Sequence, residues 1–357
     1  MKKRVLSLLL CLGMIGALTV GCSNQVNQGN STKTETETKE ETKKISEMSE
    51  KELEEAWKKE PAYGKTIKVG YNGGGCLGGF GIALAKGFYE AEGIDAEIVS
   101  MTSTTDALGT GKVDIAGDHI ATLLVPVVNG VNMTFTTASQ TGCKSLYVLA
   151  DSGIETTKDL VGKTIAIPDG VGQSDQNITM RYLTKDGIDP NDVNYKVTTT
   201  DAVVQAMKSG EVQAANLSDQ FARPFVKDGT LKYIRSITYD DDFSKEPCCI
   251  MGINSDFMEK NPITSYKLTK AFSDANDWIE DNKAEAAQIL IDNSWASGDV
   301  ETVQSFLEEW NFKISDEDCG TALKNVLKDY KEFGLFDEDI DVDKTLDTVW
   351  KPLLLNE

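Results

Sequence analysis

The stretch TIKVGYNGGGCLGGFGIALAKGFYEAEGIDAEIVSM, residues 66–101, decides the fold class. TIKVGYN (66–72) alternates apolar and polar positions and predicts a strand, IALAKGFYEAEG (82–93) carries apolar residues at helical spacing and closes on glycine, and DAEIVSM (95–101) predicts a second strand. A strand, a helix and a strand in that order imply parallel pairing with the helix packed across one face. Between the first strand and the helix stands Asn72-Gly73-Gly74-Gly75-Cys76-Leu77-Gly78-Gly79-Phe80. Its five glycines leave backbone N–H groups open to close approach, and the following helix aims its positive end at the same spot, which suits a small anion or polar headgroup. The spacing is not G-x-G-x-x-G, and Ser100 and Met101 stand where a dinucleotide fold would place an acid, so that fold is not expected.

The alternation continues outward. A helix is predicted over 120–130, strands over 133–139, 144–150 and 163–168, a helix to about residue 184, and a strand over 194–199. A helix from Ala202, strands over 213–218, 231–237 and 247–254, and then helical periodicity from Ile263 to Phe333 complete the pattern. Gly93, Gly111, Gly130, Gly187, Gly210 and Gly229 each follow an apolar helical run and are expected to stop helices. The pattern predicts two α/β units, each a mostly parallel sheet flanked by helices, with a helical tail.

The chain opens with Lys2-Lys3-Arg4, a largely apolar run from Val5 to Val20, then Gly21 and Cys22, the grammar of a secretion signal. Residues 23–46 are rich in Thr, Glu and Lys and nearly free of apolar side chains, as expected of a solvated tether. Ser49-Glu50-Lys51-Glu52 matches a capping box, and Leu53, Ala56 and Trp57 follow at helical spacing, so a short amphipathic helix leads into the body and ends by Pro61.

The formal net charge of −21 excludes a nucleic-acid partner, because such a surface repels phosphate. Of seven cysteines, Cys11 leaves with the signal and Cys22 takes another role, so Cys76, Cys143, Cys248, Cys249 and Cys319 remain in the body. An odd number cannot all pair, which points to a free thiol, a bound soft ligand or an environment without oxygen.

Ligands of open α/β sheets bind beyond the carboxyl ends of the strands, and the loops there are polar. They offer Asp118 and His119, Gln140 and Thr141, Gln173 and Ser174, Asp219 and Gln220, and Cys248. With Gly74, Gly75, Cys76, Leu77, Gly78 and Phe80 of the glycine loop, these are the candidate ligand-binding residues. Arg223 is the best-placed cation, with Arg181 and Lys144 as rivals. His119 is the sole histidine, and no nucleophile stands at readable spacing from it, so no catalytic residue is assigned. Cys76, Cys143 and Cys248 lie at strand ends, either as small buried thiols or converging on a thiophilic metal or sulfur-containing ligand. Cys248 and Cys249, adjacent in a predicted strand, are expected to point to opposite faces, and no metal site is assigned.

Two resemblances follow. Leu18-Thr19-Val20-Gly21-Cys22 resembles the lipobox of bacterial lipoproteins, with Thr19 where that motif favours leucine, and implies lipidation at Cys22. IALAKGFYEAEGI (82–94), LGTGKVDIA (108–116) and KDLVGKTIA (158–166) together resemble the solute-binding lipoproteins of ABC importers for nitrate, sulfonates, taurine and related compounds. That superfamily also holds thiamine-pyrimidine-synthase-like proteins.

The resemblance implies a two-lobe periplasmic-binding-protein type II fold with two crossover strands. Residues 64–149 and 247–357 would form the first lobe and 150–246 the second, after a signal at 1–21 and a lipidated tether with lead-in helix at 22–63. It implies an extracytoplasmic, monomeric protein, held to the bacterial membrane by lipid and passing a small polar or anionic solute to an ABC permease, without a cofactor. The alternative is an enzyme like the pyrimidine synthases, using His119 and the cysteines with iron. Those enzymes carry a cysteine-rich run, a histidine and a lysine, of which Cys248-Cys249 and His119 are the echo.

Overall fold

The computed structural model describes residues 45–354. The signal, Cys22 and nearly all of the tether lie outside the described residues. In chain order the first lobe begins with α1 (Glu50–Trp57), β1 (Ile67–Gly70), α2 (Gly78–Ala85), α3 (Phe88–Ala91), β2 (Ala96–Val99), α4 (Thr104–Gly109), β3 (Ile115–His119), α5 (Ile120–Val128) and β4 (Met133–Ala138). The second lobe holds β5 (Lys144–Leu149), β6 (Thr164–Ala166), α6 (Ser174–Lys185), β7 (Asn194–Lys196), α7 (Thr200–Lys208), β8 (Ala214–Ser218), α8 (Asp219–Lys227) and β9 (Leu231–Ser236). The chain then returns through β10 (Cys249–Asn254), α9 (Ser255–Lys260), α10 (Pro262–Asp281), α11 (Lys283–Asp292), α12 (Val300–Glu309), α13 (Asp316–Glu332) and α14 (Val342–Val349).

Two five-stranded sheets result, ordered β2-β1-β3-β10-β4 and β7-β6-β8-β5-β9. β1 pairs in parallel with β2 and β3, and β6 with β7 and β8. In each sheet one inner strand, β10 or β5, runs antiparallel to both neighbours. These two strands are the first after each passage between lobes. β5 therefore belongs to the second sheet, not to the first lobe as the sequence pattern placed it, and the outgoing passage is Ser139–Cys143 rather than a segment near residue 150. The reason is pairing: β5 finds its partners in β8 and β9, a long-range choice that periodicity within 144–150 does not encode.

The predicted helix over 82–93 is two helices. Gly87 sits at φ 76° between them, a conformation open to glycine and closed to an ordinary helix. The six glycines expected at helix ends all have positive φ. One apolar cluster runs through both lobes, taking Val69, Phe80 and Ile253 from the first and Leu146, Ile165 and Tyr182 from the second.

The lead-in helix α1 has the capping box its sequence predicts, with Ser49 N–H donating to Glu52 Oε2 at 2.9 Å and the Glu52 N–H donating to Ser49 Oγ at 3.4 Å. It docks through Trp57, whose Nε1 donates to Thr264 Oγ1 at 2.9 Å. Glu60 then caps a helix far away in sequence. Its carboxylate accepts from the N–H groups of Ile263 (2.6 Å) and Thr264 (2.9 Å) and from Thr264 Oγ1 (2.7 Å), at the start of α10. Glu60→Ala is expected to lower the unfolding free energy by about 1–2 kcal/mol, read by chemical denaturation, with Glu60→Asp in between.

Candidate functional site

A cavity of about 820 Å³ opens between the lobes. Asn72, Gly74, Trp295 and Phe306 wall it from the first lobe, and Gln220 and Lys227 face them from the second. Ion pairs join the two lobes, one of them in the cavity lining. Arg223 of α8 reaches Glu309 of α12 at 2.6 Å, donates to Ser305 Oγ at 2.9 Å and lies over the Phe306 ring at 4.2 Å. Arg181 of α6 is buried against Asp329 of α13 at 2.8 Å and Glu246 of the return passage at 2.9 Å. Burial would depress the Arg181 guanidinium, and these two carboxylates outweigh it and hold it charged. Lys144 is likewise enclosed, bonded to Asp169 at 2.7 Å and to Asp175. All three expected cations are therefore held by acids, and Lys227 is the cavity-lining cation with no ion pair among the described residues.

The glycine loop lines the cavity through Gly73 and Gly74 and is also packed closely against the helical tail. The N–H of Gly74 donates to the Trp295 carbonyl at 2.6 Å, and a Cβ on Gly73 would stand 2.6 Å from that same oxygen. Tyr71 Oη donates to the Gly74 carbonyl at 2.9 Å, and the Asn72 side chain makes paired 2.7 Å bonds to the backbone of Met101. A Cβ on Gly79 would fall 2.3 Å from Asn276 Oδ1, so glycine is what lets α2 lie on α10. Gly78 faces Leu290, Gly75 faces Trp310, and Leu77 packs over Gly117. Phe80 is fully buried, its ring 4.3 Å from that of Phe272.

The thiols converge where the two passages meet the end of β3. His119 ends β3, Cys143 ends the outgoing passage, and Cys248 and Cys249 end the return passage. Cys143 Sγ lies 3.4 Å from His119 Nε2 and 3.1 Å from Cys248 Sγ, and Cys248 and Cys249 sulfurs are 3.9 Å apart. Cys76 also reaches Cys143 and Cys249 from the glycine loop. The expectation that Cys248 and Cys249 face opposite ways is thus corrected. β10 begins only at Cys249, while Cys248 lies in the approach to it, its N–H bonded to the Gln140 carbonyl at 2.8 Å, and there strict strand alternation does not apply.

Cys143 has φ 105°, a value L side chains rarely adopt. The surroundings hold it there: its N–H donates to Thr238 Oγ1 at 2.9 Å and its carbonyl accepts from Asp219 N–H at 2.9 Å. The Cys143 thiol is held well below its usual range by hydrogen bonds from Cys248, Cys249 and Cys76, with His119 adding to the effect. Burial would depress the His119 imidazole, and the facing sulfurs of Cys248 and Cys143, together with Asp118, carry it well above its usual value instead. Asp118 Oδ1 accepts from the His119 ring Nδ1 at 3.1 Å and from its backbone N–H at 2.8 Å.

The other sequence-derived residues spread around this centre. Gln140 is buried with Nε2 at 3.7 Å from Cys249 Sγ, and Thr141 exchanges hydrogen bonds with the Asn311 backbone, both at 3.1 Å. Ser174 Oγ donates to Asp169 at 2.8 Å, and Gln173 precedes α6. Gln220 lines the cavity, whereas Asp219 beside it is buried. Trp295, Phe306 and Lys227 line the cavity without having been legible as site residues: Trp295 and Phe306 come from the helical tail, where no site pattern stands, and Lys227 is one of many surface-type lysines, four residues beyond Arg223 at the end of α8.

The family described as NMT1/THI5 like matches residues 77–286, more than half of the chain. The nitrate/nitrite binding protein NrtA of Synechococcus elongatus is 27% identical over 263 residues, which span 64% of this chain and 58% of that protein. Among solved structures, the alkanesulfonate-binding protein SsuA from Xanthomonas axonopodis pv. citri bound to MOPS superposes with a TM-score of 0.64 at 16% identity, covering 80% of this chain and 98% of that one. The periplasmic nitrate-binding protein NrtA from Synechocystis PCC 6803 gives 0.65 at 17% identity, covering 80% and 86%.

Asp219 accepts from Ser145 Oγ (2.6 Å), Tyr147 Oη (2.7 Å) and Thr238 Oγ1, and burial lifts its carboxyl to about 6. An acid raised in the folded state binds its proton more tightly there, so its stabilising contribution is complete below about pH 4 and is lost as pH rises through 6. Relative to Asp219→Asn, the wild type should lose about 3 kcal/mol of stability between those limits, measured by denaturation across pH.

Proposed function

Because the chain belongs to the NMT1/THI5 like family, we propose that it is an extracytoplasmic solute-binding protein which captures a small polar or anionic compound between its lobes and presents it to an ABC permease. The observation that carries this reading is the cavity walled from both lobes, with Arg223 in its lining paired across to Glu309, in a chain that passes between the lobes twice. Such a joint permits closure around a solute, and the closed form is what a permease distinguishes from the open one. Lys227, unpaired among the described residues, supplies the charge for an anionic group, while Trp295, Phe221 and Phe306 suit an apolar or aromatic portion. Sulfonates, amine-bearing sulfonates and heteroaromatic acids combine those features. The named relatives bind nitrate, nitrite and an alkanesulfonate, which is the same class of charge on a small body.

The signal grammar and Cys22 support a lipid tether to the bacterial membrane, with residues 23–46 giving reach to a permease in the same bilayer. No helix among the described residues is long and apolar enough to cross a membrane. The enzymatic alternative is not favoured, since the named relatives and structures to which the chain is similar are binding proteins.

Calorimetry and thermal denaturation against taurine, alkanesulfonates, MOPS, nitrate and heteroaromatic acids test the reading. At least one should raise the melting temperature in a concentration-dependent way. Lys227→Ala and Trp295→Ala should each weaken that solute by roughly 10-fold, about 1.4 kcal/mol. Absence of any stabilising solute across the panel, with the protein folded, would sink the proposal.

A further inference from the structure

We propose that His119, Cys143, Cys248 and Cys249 form a binding site for one soft, thiophilic cation, of the zinc(II) or copper(I) kind, where the two chain passages meet the end of β3. The four candidate donor atoms all lie within 4.8 Å of one another. A tetrahedral cation with metal–sulfur bonds of about 2.3 Å spaces its ligands by roughly 3.7 Å. The observed separations of 3.1, 3.4 and 3.9 Å bracket that edge, so small side-chain rotations close the shell. Three sulfurs and one imidazole nitrogen contain no hard oxygen donor, which disfavours magnesium, calcium and manganese and favours soft or borderline ions.

The groups behind these donors support the same reading. Asp118 engages Nδ1 of His119 at 3.1 Å, which leaves Nε2 directed at the sulfurs, and a carboxylate behind a histidine is the arrangement that fixes the tautomer of a metal-bound imidazole. Cys143, the sulfur shared by the closest contacts, is held at φ 105° by Thr238 and Asp219, a strained backbone maintained at this one point of the crossing. The site is not sealed. The His119 and Asp118 side chains keep 18% and 30% of their surface, which leaves a way in, while the three cysteines are buried and shielded from exchange. Because Cys143 stands on the outgoing passage and Cys248 and Cys249 on the return, a cation here ties both passages to the end of β3, and loading the site stiffens the joint about which the lobes move.

This inference does not depend on which solute enters the cleft. Protein purified without oxygen and stripped by chelator is titrated with cobalt(II), then with zinc(II) and with copper(I) in separate arms. The expected result is one cobalt per chain with intense visible bands of tetrahedral geometry and a thiolate charge-transfer band in the near ultraviolet, displaced by at least one of the two closed-shell ions. The arm that displaces cobalt at the lower concentration identifies the preferred ion. Cys143→Ser and Cys248→Ser should abolish stoichiometric binding, and Asp118→Ala should weaken it by roughly 10- to 100-fold. His119→Gln, which removes no thiol, should shift the charge-transfer band and keeps the test open where a cysteine variant fails to fold by circular dichroism. Lys227→Ala should leave metal binding unchanged, so that loss of solute binding and loss of metal binding are read separately. A pale octahedral cobalt spectrum, binding that survives loss of both Cys143 and Cys248, or a Cys143–Cys248 disulfide in protein isolated without reductant would each overturn the proposal.

Discussion

The chain passes between the lobes twice, and the first strand after each passage takes an inner position in its sheet, next to strands that pair in parallel. β5 lies between β8 and β9, and β10 between β3 and β4, each antiparallel to both neighbours. An inner strand is held by hydrogen bonds on both edges, so neither passage can shift without breaking two ladders. That constraint fixes where the passages meet, and the meeting point is the end of β3, where His119 stands. The cleft, its clasps and the thiol cluster all take their positions from it.

Electrostatics decides what the cleft can attract. In a chain with a net charge of −21, the cations that reach the lobe boundary are mostly held by acids already. Arg181 sits between Asp329 and Glu246, Lys144 between Asp169 and Asp175, and Arg223 against Glu309. Burial of a charge is tolerable only with such partners, and removing one partner leaves the other uncompensated. These pairs therefore act as structural clasps, and Lys227 is left as the cavity-lining cation without an ion pair among the described residues.

The glycine loop shows how far composition carries. Five glycines before a helix suggest a bare backbone waiting for a ligand, and the same absence of Cβ atoms equally permits close packing of protein on protein. In this fold the second use accounts for Gly73, Gly74 and Gly79, which meet Trp295, Asn276 and Phe272. Both uses leave the same mark in sequence, because what occupies the space above the loop comes from segments more than 190 residues further along the chain.

The helix-stopping glycines and the Ser49–Glu52 capping box were legible in the chain because each is written in residues within a turn or two of one another, and the α/β class and the family because local patterns of that kind recur in a set order along it. Packing between distant segments places β5 in the second sheet, sets Glu60 as the cap of α10, and gathers Cys76, Cys143, Cys248 and Cys249 around His119. Those outcomes depend on which strands pair across the passages and on what must be buried there. Such choices are made by contacts between distant segments, which no local pattern records.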